Sequence, residues 1–158
     1  FRGTDFTGSN FSNANLEGTN LTNANLSYAK LNGAVLDGAD LADVNLTGAN
    51  LRAASLVGVD LTGANLDGAN LTDVDLLAAN LENVDLAGVN LGGINLEDAN
   101  LRGANLSNAN LTRANLGGAN LRGADLTNAN LSYAKHYGAD LTNTKLTGAT
   151  MPDGSIHE

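Results

Sequence analysis

A large aliphatic residue recurs at every fifth position along the whole chain. In "ANLRGANLSNANLTRANL", residues 99–116, Leu recurs from Leu101 to Leu116, with Ala two positions before each Leu and Asn one before it. The chain holds 32 such central positions between residues 1 and 156, and Leu fills 26 of them with no shift in register. The other centres are Phe1, Phe6, Phe11, His136, Met151 and Ile156.

A period of five excludes a regular helix and a flat strand. In an α-helix, at about 100° per residue, a step of five residues rotates the side chain by about 140°, so the leucines form no single stripe. In a strand, an odd step sends successive leucines to opposite faces. The pattern buries one face only if the chain turns regularly, as short extended pieces joined by tight turns and stacked into coils. The Asn, Asp and Gly at the outward positions suit such turns.

The repeat A-[ND]-L-x-x, present as "ANLRG", "ANLSN", "ANLTR" and "ADLTN", resembles the pentapeptide repeat proteins over essentially the whole chain. The resemblance implies an all-β fold, a right-handed quadrilateral parallel β-helix with four pentapeptides per coil and about eight coils. It also implies that the central residue and the residue two before it point inward. We assign residues 1–150 to this β-helix. Residues 151–158, where "ATMPDGSIHE" leaves the repeat, are assigned to a C-terminal cap of the same domain.

The position two before each centre indicates a narrow interior. Ala occupies it in 20 of 31 cases, and a larger residue in every coil would not fit. We expect slightly wider coils in the middle third of the chain, where the larger residues cluster. These residues are Val44, Val59, Val74, Val84, Val89 and Ile94.

Charge and composition limit the classes of partner. The net charge is −9, which disfavours binding to nucleic acid or to an anionic membrane and permits a basic protein partner. The chain has no cysteine, so it has neither disulfides nor thiolate metal sites. It contains no apolar run long enough to span a membrane. The cytoplasm is slightly favoured, with the thylakoid lumen or the periplasm left open.

No residue pattern indicates catalysis. His136 replaces Leu at a centre, and we interpret it as a tolerated, partly buried histidine because the inward positions around it are aliphatic. The recurring Asn and Asp could suggest calcium binding, but the nine-residue acidic period of calcium-binding repeats is absent. Bonding within turns is the better explanation. We expect no enzymatic activity, no metal and no cofactor.

Aromatic residues at the surface and at one end leave two interpretations open. Tyr28, Tyr133 and Tyr137 are predicted to point outward, either as partner anchors or as ordinary surface residues. The first three centres are Phe. Phe1, Phe6 and Phe11 either dock a partner or a second copy, or plug the opening of the first coil. The chain is therefore expected to be a monomer or an end-to-end dimer through the Phe1 end.

Acidic residues concentrate in the middle of the chain. Residues 31–100 hold eleven acidic side chains and one basic residue, Arg52, whereas residues 101–158 carry a net charge of +1. A period of twenty residues stacks Asp40 on Asp60, and Arg102 on Arg122, in neighbouring coils, and stacked like charges cost stability unless they are solvated. Asp40, Asp60, Asp73 and Asp75 are the candidate docking surface. A solubilising role is the alternative.

These features predict a non-enzymatic protein-interaction or scaffold module, a rigid acidic rod. The alternative is a DNA-mimicking binder of DNA gyrase, because some pentapeptide repeat proteins resemble DNA in width and charge and protect gyrase from quinolones. This chain differs from them in its leucine-rich centres, and it lacks their interrupting loops and C-terminal dimerisation segment.

Overall fold

The structure, a computed structural model, describes residues 1–158 and consists of one repeated turn. From Gly3 to Gly148, every residue two positions after a centre has positive φ, including Tyr28 at 57° and Arg113 at 60°. The carbonyl of each centre accepts the N–H of the residue three positions later, as Leu101 does from Ala104 at 3.1 Å. Positive φ at the third residue of a four-residue turn is typical of type II turns, where Gly and Asn are favoured.

Four turns make one coil of twenty residues, and the coils stack in parallel. The chain has no helix, and its β-structure consists of single-residue bridges rather than extended strands. Nearly all bridges are parallel and join residues twenty apart, from Asp5↔Asn25 to Asn130↔Thr150. We number the coils from residue 1, so that coil 1 is 1–20, coil 4 is 61–80 and coil 5 is 81–100. The four faces pass through the fifth, tenth, fifteenth and twentieth residue of each coil.

The prediction of an all-β, right-handed quadrilateral β-helix is confirmed. The inward positions form one apolar core of 46 buried residues. The leucines at the central positions from Leu21 to Leu131 are at most 4 % exposed. The core runs along the rod from Leu16 to Ala149. Each buried leucine contributes on the order of 1.5–3 kcal/mol to the stability of the fold before conformational entropy is counted.

The larger inward residues stretch their own turns. The hydrogen bond that closes a turn measures 2.8–3.1 Å when Ala donates it and 3.1–3.3 Å when Val or Ile does, as at Val59 and Val84. The coil of residues 41–60 holds two larger residues, Val44 and Val59, and keeps all its bonds to the next coil. Two enlarged positions that are not consecutive along the chain are therefore tolerated.

Between coils 4 and 5 the backbone ladder is broken on two faces. The bridges expected between Asn65 and Asp85 and between Asn70 and Asn90 are missing, whereas Asp60↔Asn80 and Asp75↔Asn95 on the other two faces are present. Coil 5 carries Val84, Val89 and Ile94 at three of its four positions two before a centre. We attribute the separation to these three adjacent β-branched residues, which need more space than alanine leaves elsewhere in a close-packed interior. The separation lies on the coil 4 side alone, because all bonds from coil 5 to coil 6 are kept.

Eight backbone N–H groups lose their partner in the adjacent coil at this break. Elsewhere along the rod the equivalent groups donate to the coil above or below at 2.7–3.2 Å. The eight belong to Gly63, Leu66, Gly68, Leu71, Asp73, Asp85, Asn90 and Asn95.

The two ends differ. At the C-terminal end the chain reverses after Met151 and pairs antiparallel with the last coil, as Thr150↔Ile156. His157 N–H donates to Ala149. At the other end Phe1 is 64 % exposed and Phe6 and Phe11 are partly buried. Their rings meet edge to face, with centroids 5.5 and 5.2 Å apart.

We expect Leu106→Ala to lower the free energy of unfolding by about 2–5 kcal/mol, because Leu106 is fully buried between two complete coils. Leu146→Ala is the matched control, since Leu146 lies in the last coil and is only partly buried. Urea unfolding followed by circular dichroism measures both. An equal loss for the two variants would contradict a core whose packing is continuous through the middle coils.

Candidate functional site

The structure brings three of the four predicted docking aspartates onto two adjacent faces. Asp40 and Asp60 lie on the fourth face in neighbouring coils and are bridged through their backbones. Asp75 lies on the third face of coil 4. Asp73 lies two residues before Asp75, in the turn that precedes it. Asp73 is paired with Arg52, whose Nε is 3.7 Å from Asp73 Oδ2. Of the four, therefore, only Asp73 has a basic partner.

Hydrogen bonds within the turns and between the coils fix these carboxylates. Asp75 Oδ1 accepts the backbone N–H of Leu77 and the side-chain amide of Asn95, both at 3.0 Å. Asp60 Oδ1 likewise accepts from Thr62 and Asn80. The same arrangement recurs at the neutral Asn residues, as in Asn100 donating to Asn80 at 2.9 Å. The recurring Asn and Asp thus serve turn and ladder bonding, and no group of three or more acidic or histidine side chains is placed to hold a metal.

Three of the five basic residues of the second half, Arg102, Arg122 and Lys145, are in ion pairs. Arg102 and Arg122 lie at equivalent positions of neighbouring coils, as the period of twenty predicts, and each has an acidic partner that the sequence did not reveal. Arg102 Nη1 lies 3.2 Å from Glu82 Oε1, and Arg122 Nη1 lies 3.4 Å from Asp140 Oδ2. Both pairs are largely exposed, so each adds little stability, but each arginine has an acidic neighbour that offsets the repulsion. Asp40 and Asp60 have no such neighbour.

Turn hydroxyls set the acidity of several aspartates. The Thr127 hydroxyl and backbone N–H, with a smaller contribution from Lys145, lower the pKa of Asp125 to about 2. The Thr142 hydroxyl and N–H lower the pKa of Asp140 in the same way, assisted by Arg122. These donors stabilise the charged form. Both carboxylates therefore stay ionised well below neutral pH.

A second feature, which the sequence did not single out as a site, is the cleft between coils 4 and 5. It has a volume of about 670 Å³ and opens on the first and second faces, where the ladder is broken. Asp67 and Asp85 line it, together with Asn65, Asn83 and Asn90. The signal available in the sequence was the run of Val84, Val89 and Ile94, which predicted widening but not a cleft.

The three tyrosines point outward, as predicted, and two of them cover a glycine of the neighbouring coil. The Tyr28 ring covers Gly48, where an added Cβ would come within 2.7 Å of it. Tyr137 covers Gly117 in the same way, and its hydroxyl donates to Glu97 at 3.2 Å, which raises the pKa of Tyr137. Tyr133 lies 6.0 Å from the Arg113 guanidinium. Whether any of them anchors a partner stays a prediction.

The expectation of a partly buried His136 is wrong. The residue is exposed and lies beside Met151, Pro152 and Asp153. The position twenty residues further, which would cover it in a continuing coil, is Ile156, and Ile156 has turned back to pair with Thr150. His136 is therefore uncovered because the chain reverses there.

These features, a coil of four five-residue turns with a Leu and Ala interior and an Asn ladder outside, define a pentapeptide-repeat β-helix. The sequence matches the family Pentapeptide repeats, in eight copies over residues 1–38, 39–76, 79–118 and 109–148. The chain belongs to this family. No helix in the structure is long and apolar enough to cross a membrane.

Solved structures of the family are similar to the chain. HetL from the cyanobacterium Nostoc sp. strain PCC 7120, involved in heterocyst differentiation regulation, is 34 % identical over 98 % of this chain and 87 % of its own, with a TM-score of 0.46. QnrB1, a plasmid-mediated fluoroquinolone resistance protein, is 24 % identical over 92 % of this chain and 83 % of its own, with a TM-score of 0.55. The likeness to QnrB1 shows the fold alone. A comparison with curated proteins gives no match.

Thr127→Val removes the hydroxyl donor to Asp125 and keeps the backbone N–H. We expect the pKa of Asp125 to rise from about 2 towards its usual value near 3.9. Because the folded pKa is depressed, its stabilising effect is present above about pH 4 and is lost as the pH falls towards 2. The carboxyl chemical shift of Asp125, followed in an NMR titration, measures this pKa. Lys145→Met is the control and should raise the pKa less; a larger rise than for Thr127→Val would contradict the assignment.

Proposed function

We propose that this chain is a non-enzymatic protein-interaction module that presents its acidic middle coils to a basic protein partner. The observation that carries the proposal is the charge of residues 31–100, eleven acidic side chains against one basic residue, on a rod whose outward positions follow a fixed spacing. Electrostatic complementarity of this kind favours encounter and specificity.

The geometry of the carboxylates supports a docking role. Asp40, Asp60 and Asp75 are held by turn and ladder bonds, as at Asp60 and Asp75, so they lose little freedom when a partner binds. Neither Asp40 nor Asp60 is in an ion pair, in contrast to Asp125 and Asp140 of the second half. Two adjacent unpaired carboxylates are a favourable position for an arginine or lysine from another protein, because that cation relieves their repulsion.

The test is retention of a partner from native lysate by the immobilised chain. The docking variant carries Asp40→Asn, Asp60→Asn, Asp73→Asn and Asp75→Asn. The matched control carries Asp5→Asn, Glu17→Gln, Asp153→Asn and Glu158→Gln, which changes the net charge equally at exposed positions outside residues 31–100. We expect a partner that the parent chain and the control retain, and that the docking variant loses in a salt-sensitive way.

Equal loss by both variants would show that bulk charge alone is responsible, and equal retention would show that the acidic surface is not the binding surface. Either result contradicts the proposal. Retention of nothing by any of the three chains also contradicts it and leaves the charge as a solubilising feature.

A second candidate is mimicry of DNA towards DNA gyrase, favoured by the charge density. Residues 31–100 span three and a half coils, about 17 Å at a strand spacing of about 4.8 Å, and carry a net charge of −10. This amounts to about one negative charge per 1.7 Å, close to duplex DNA. A supercoiling assay with gyrase and a fluoroquinolone tests it. Protection by the chain, lost in the docking variant and kept in the control, would support this candidate over the first.

A further inference from the structure

The cleft between coils 4 and 5 exposes backbone groups that the rest of the rod keeps paired. On the first face, Leu66 N–H and Asp85 N–H have no partner across the break, and on the second face the same holds for Leu71 and Asn90. The carbonyls of Ala64 and Ala69, which would accept from Asp85 and Asn90, are free of those bonds as well. Each wall of the cleft therefore presents one unpaired bridge residue on each of two faces, and unpaired backbone groups of this kind can pair with another chain.

The two halves of the rod stay joined on the side opposite the opening. On the third and fourth faces, Leu76 N–H donates to Asn95 at 3.0 Å and Leu61 N–H donates to Asn80 at 2.8 Å. The side-chain ladder is also continuous there, through Asn95 to Asp75 and Asn80 to Asp60. The fourth face keeps all its bonds, whereas on the third face Asn95 N–H no longer donates to Val74. The opening is thus a wedge whose two sides are joined most completely on the fourth face.

The lining selects for positive charge. Asp67 and Asp85 are exposed in the cleft, and no basic residue lines it. Asp85 Oδ1 accepts from Ala87 N–H and from Asn105, and no bond within the chain involves Oδ2. The volume of about 670 Å³ falls within the range of about 300–1,000 Å³ usual for ligand sites.

We propose that this cleft binds an extended peptide segment with basic side chains, whose backbone pairs with the unpaired edges of coils 4 and 5. Addition of a strand to an exposed edge gives affinity through main-chain hydrogen bonds, while side-chain contacts give selectivity. Here the alternate side chains of the peptide would meet Asp67 and Asp85. The site opens on the first and second faces, away from Asp40, Asp60 and Asp75, so it is independent of the docking surface proposed above.

The test uses three fluorescein-labelled octapeptides and fluorescence anisotropy. The probe alternates Lys and Thr, a second peptide replaces each Lys by Glu, and a third keeps Lys and Thr but carries N-methyl groups on alternate backbone amides. We expect the probe to bind and the Glu peptide not to bind. The N-methylated peptide should bind at least about tenfold more weakly, because it loses several backbone hydrogen bonds. Equal binding of the methylated peptide overturns the proposal.

A cysteine staple locates the binding. The chain has no cysteine of its own, and a Cβ added at Gly68 or Gly88, which lie on the two walls, meets no atom closer than 3.9 Å. In Gly68→Cys/Gly88→Cys, oxidation pulls the walls together and should abolish probe binding, and reduction should restore it. Gly38→Cys/Gly58→Cys is the matched control, in coils whose ladder is intact and where an added Cβ meets no atom. Binding that persists when the Gly68/Gly88 staple is closed overturns the proposal.

If the staple does not form, charge variants of the cleft test the same binding site. Asp67→Asn/Asp85→Asn should weaken probe binding several-fold, and Glu17→Gln/Asp98→Asn, with the same charge change, should not. Equal weakening by both pairs would reduce the binding to bulk charge. If instead a second copy of the chain fills the cleft, the probe does not bind and sedimentation shows a dimer. Either outcome overturns the proposal.

Discussion

The interior of this rod has room for one leucine and one small residue in each five-residue turn, and every other property of the molecule follows from that limit. A turn that holds Leu and Ala closes at 2.8–3.1 Å and places its backbone in register with the turn twenty residues away. Because the bridges join residues twenty apart, each coil pairs only with the coils next to it, as in other one-dimensional repeat architectures. Burial of the central residues is complete in the middle coils and falls at the ends, and further local differences arise where the size limit is exceeded.

Much of the fold could be predicted from the sequence. The period of five excludes both regular alternatives and indicates stacked coils, and the small residue two positions before each Leu indicates a narrow interior. The handedness and the four turns per coil came from the resemblance to the pentapeptide repeat proteins. The expected widening at the larger inward residues was correct in kind, since the turns of Val59 and Val84 are stretched. The break between coils 4 and 5 was not predicted, because it depends on three enlarged positions acting together in one coil. Side-chain pairing was also missed: the acidic partners of Arg102 and Arg122 lie eighteen to twenty residues away, and their rotamers are not encoded in the repeat.

The surface can vary freely because the interior does not. Outward positions carry Asn or Asp for the ladder, Gly or Asn at positive φ, and otherwise almost any residue, as Tyr28, Ala53 and Arg113 at positive φ demonstrate. Charge can therefore be distributed along the axis without affecting the fold. The proposed functions use this freedom in two ways. The acidic docking surface lies mainly on the third and fourth faces, where the bridges between coils 4 and 5 persist, and the peptide cleft lies where the ladder opens on the other two.

Amide hydrogen exchange tests the dependence of coil pairing on inward side-chain size most directly. We predict that the four unpaired amides at the break exchange much faster than the equivalent amides in intact coils. The four are those of Leu66, Leu71, Asp85 and Asn90, and their equivalents are those of Leu106, Leu111, Asn105 and Asn110. In the variant Val84→Ala/Val89→Ala/Ile94→Ala, those four amides should become as protected as the equivalents. Uniform protection along the parent rod, or fast exchange that persists in the triple variant, would contradict it.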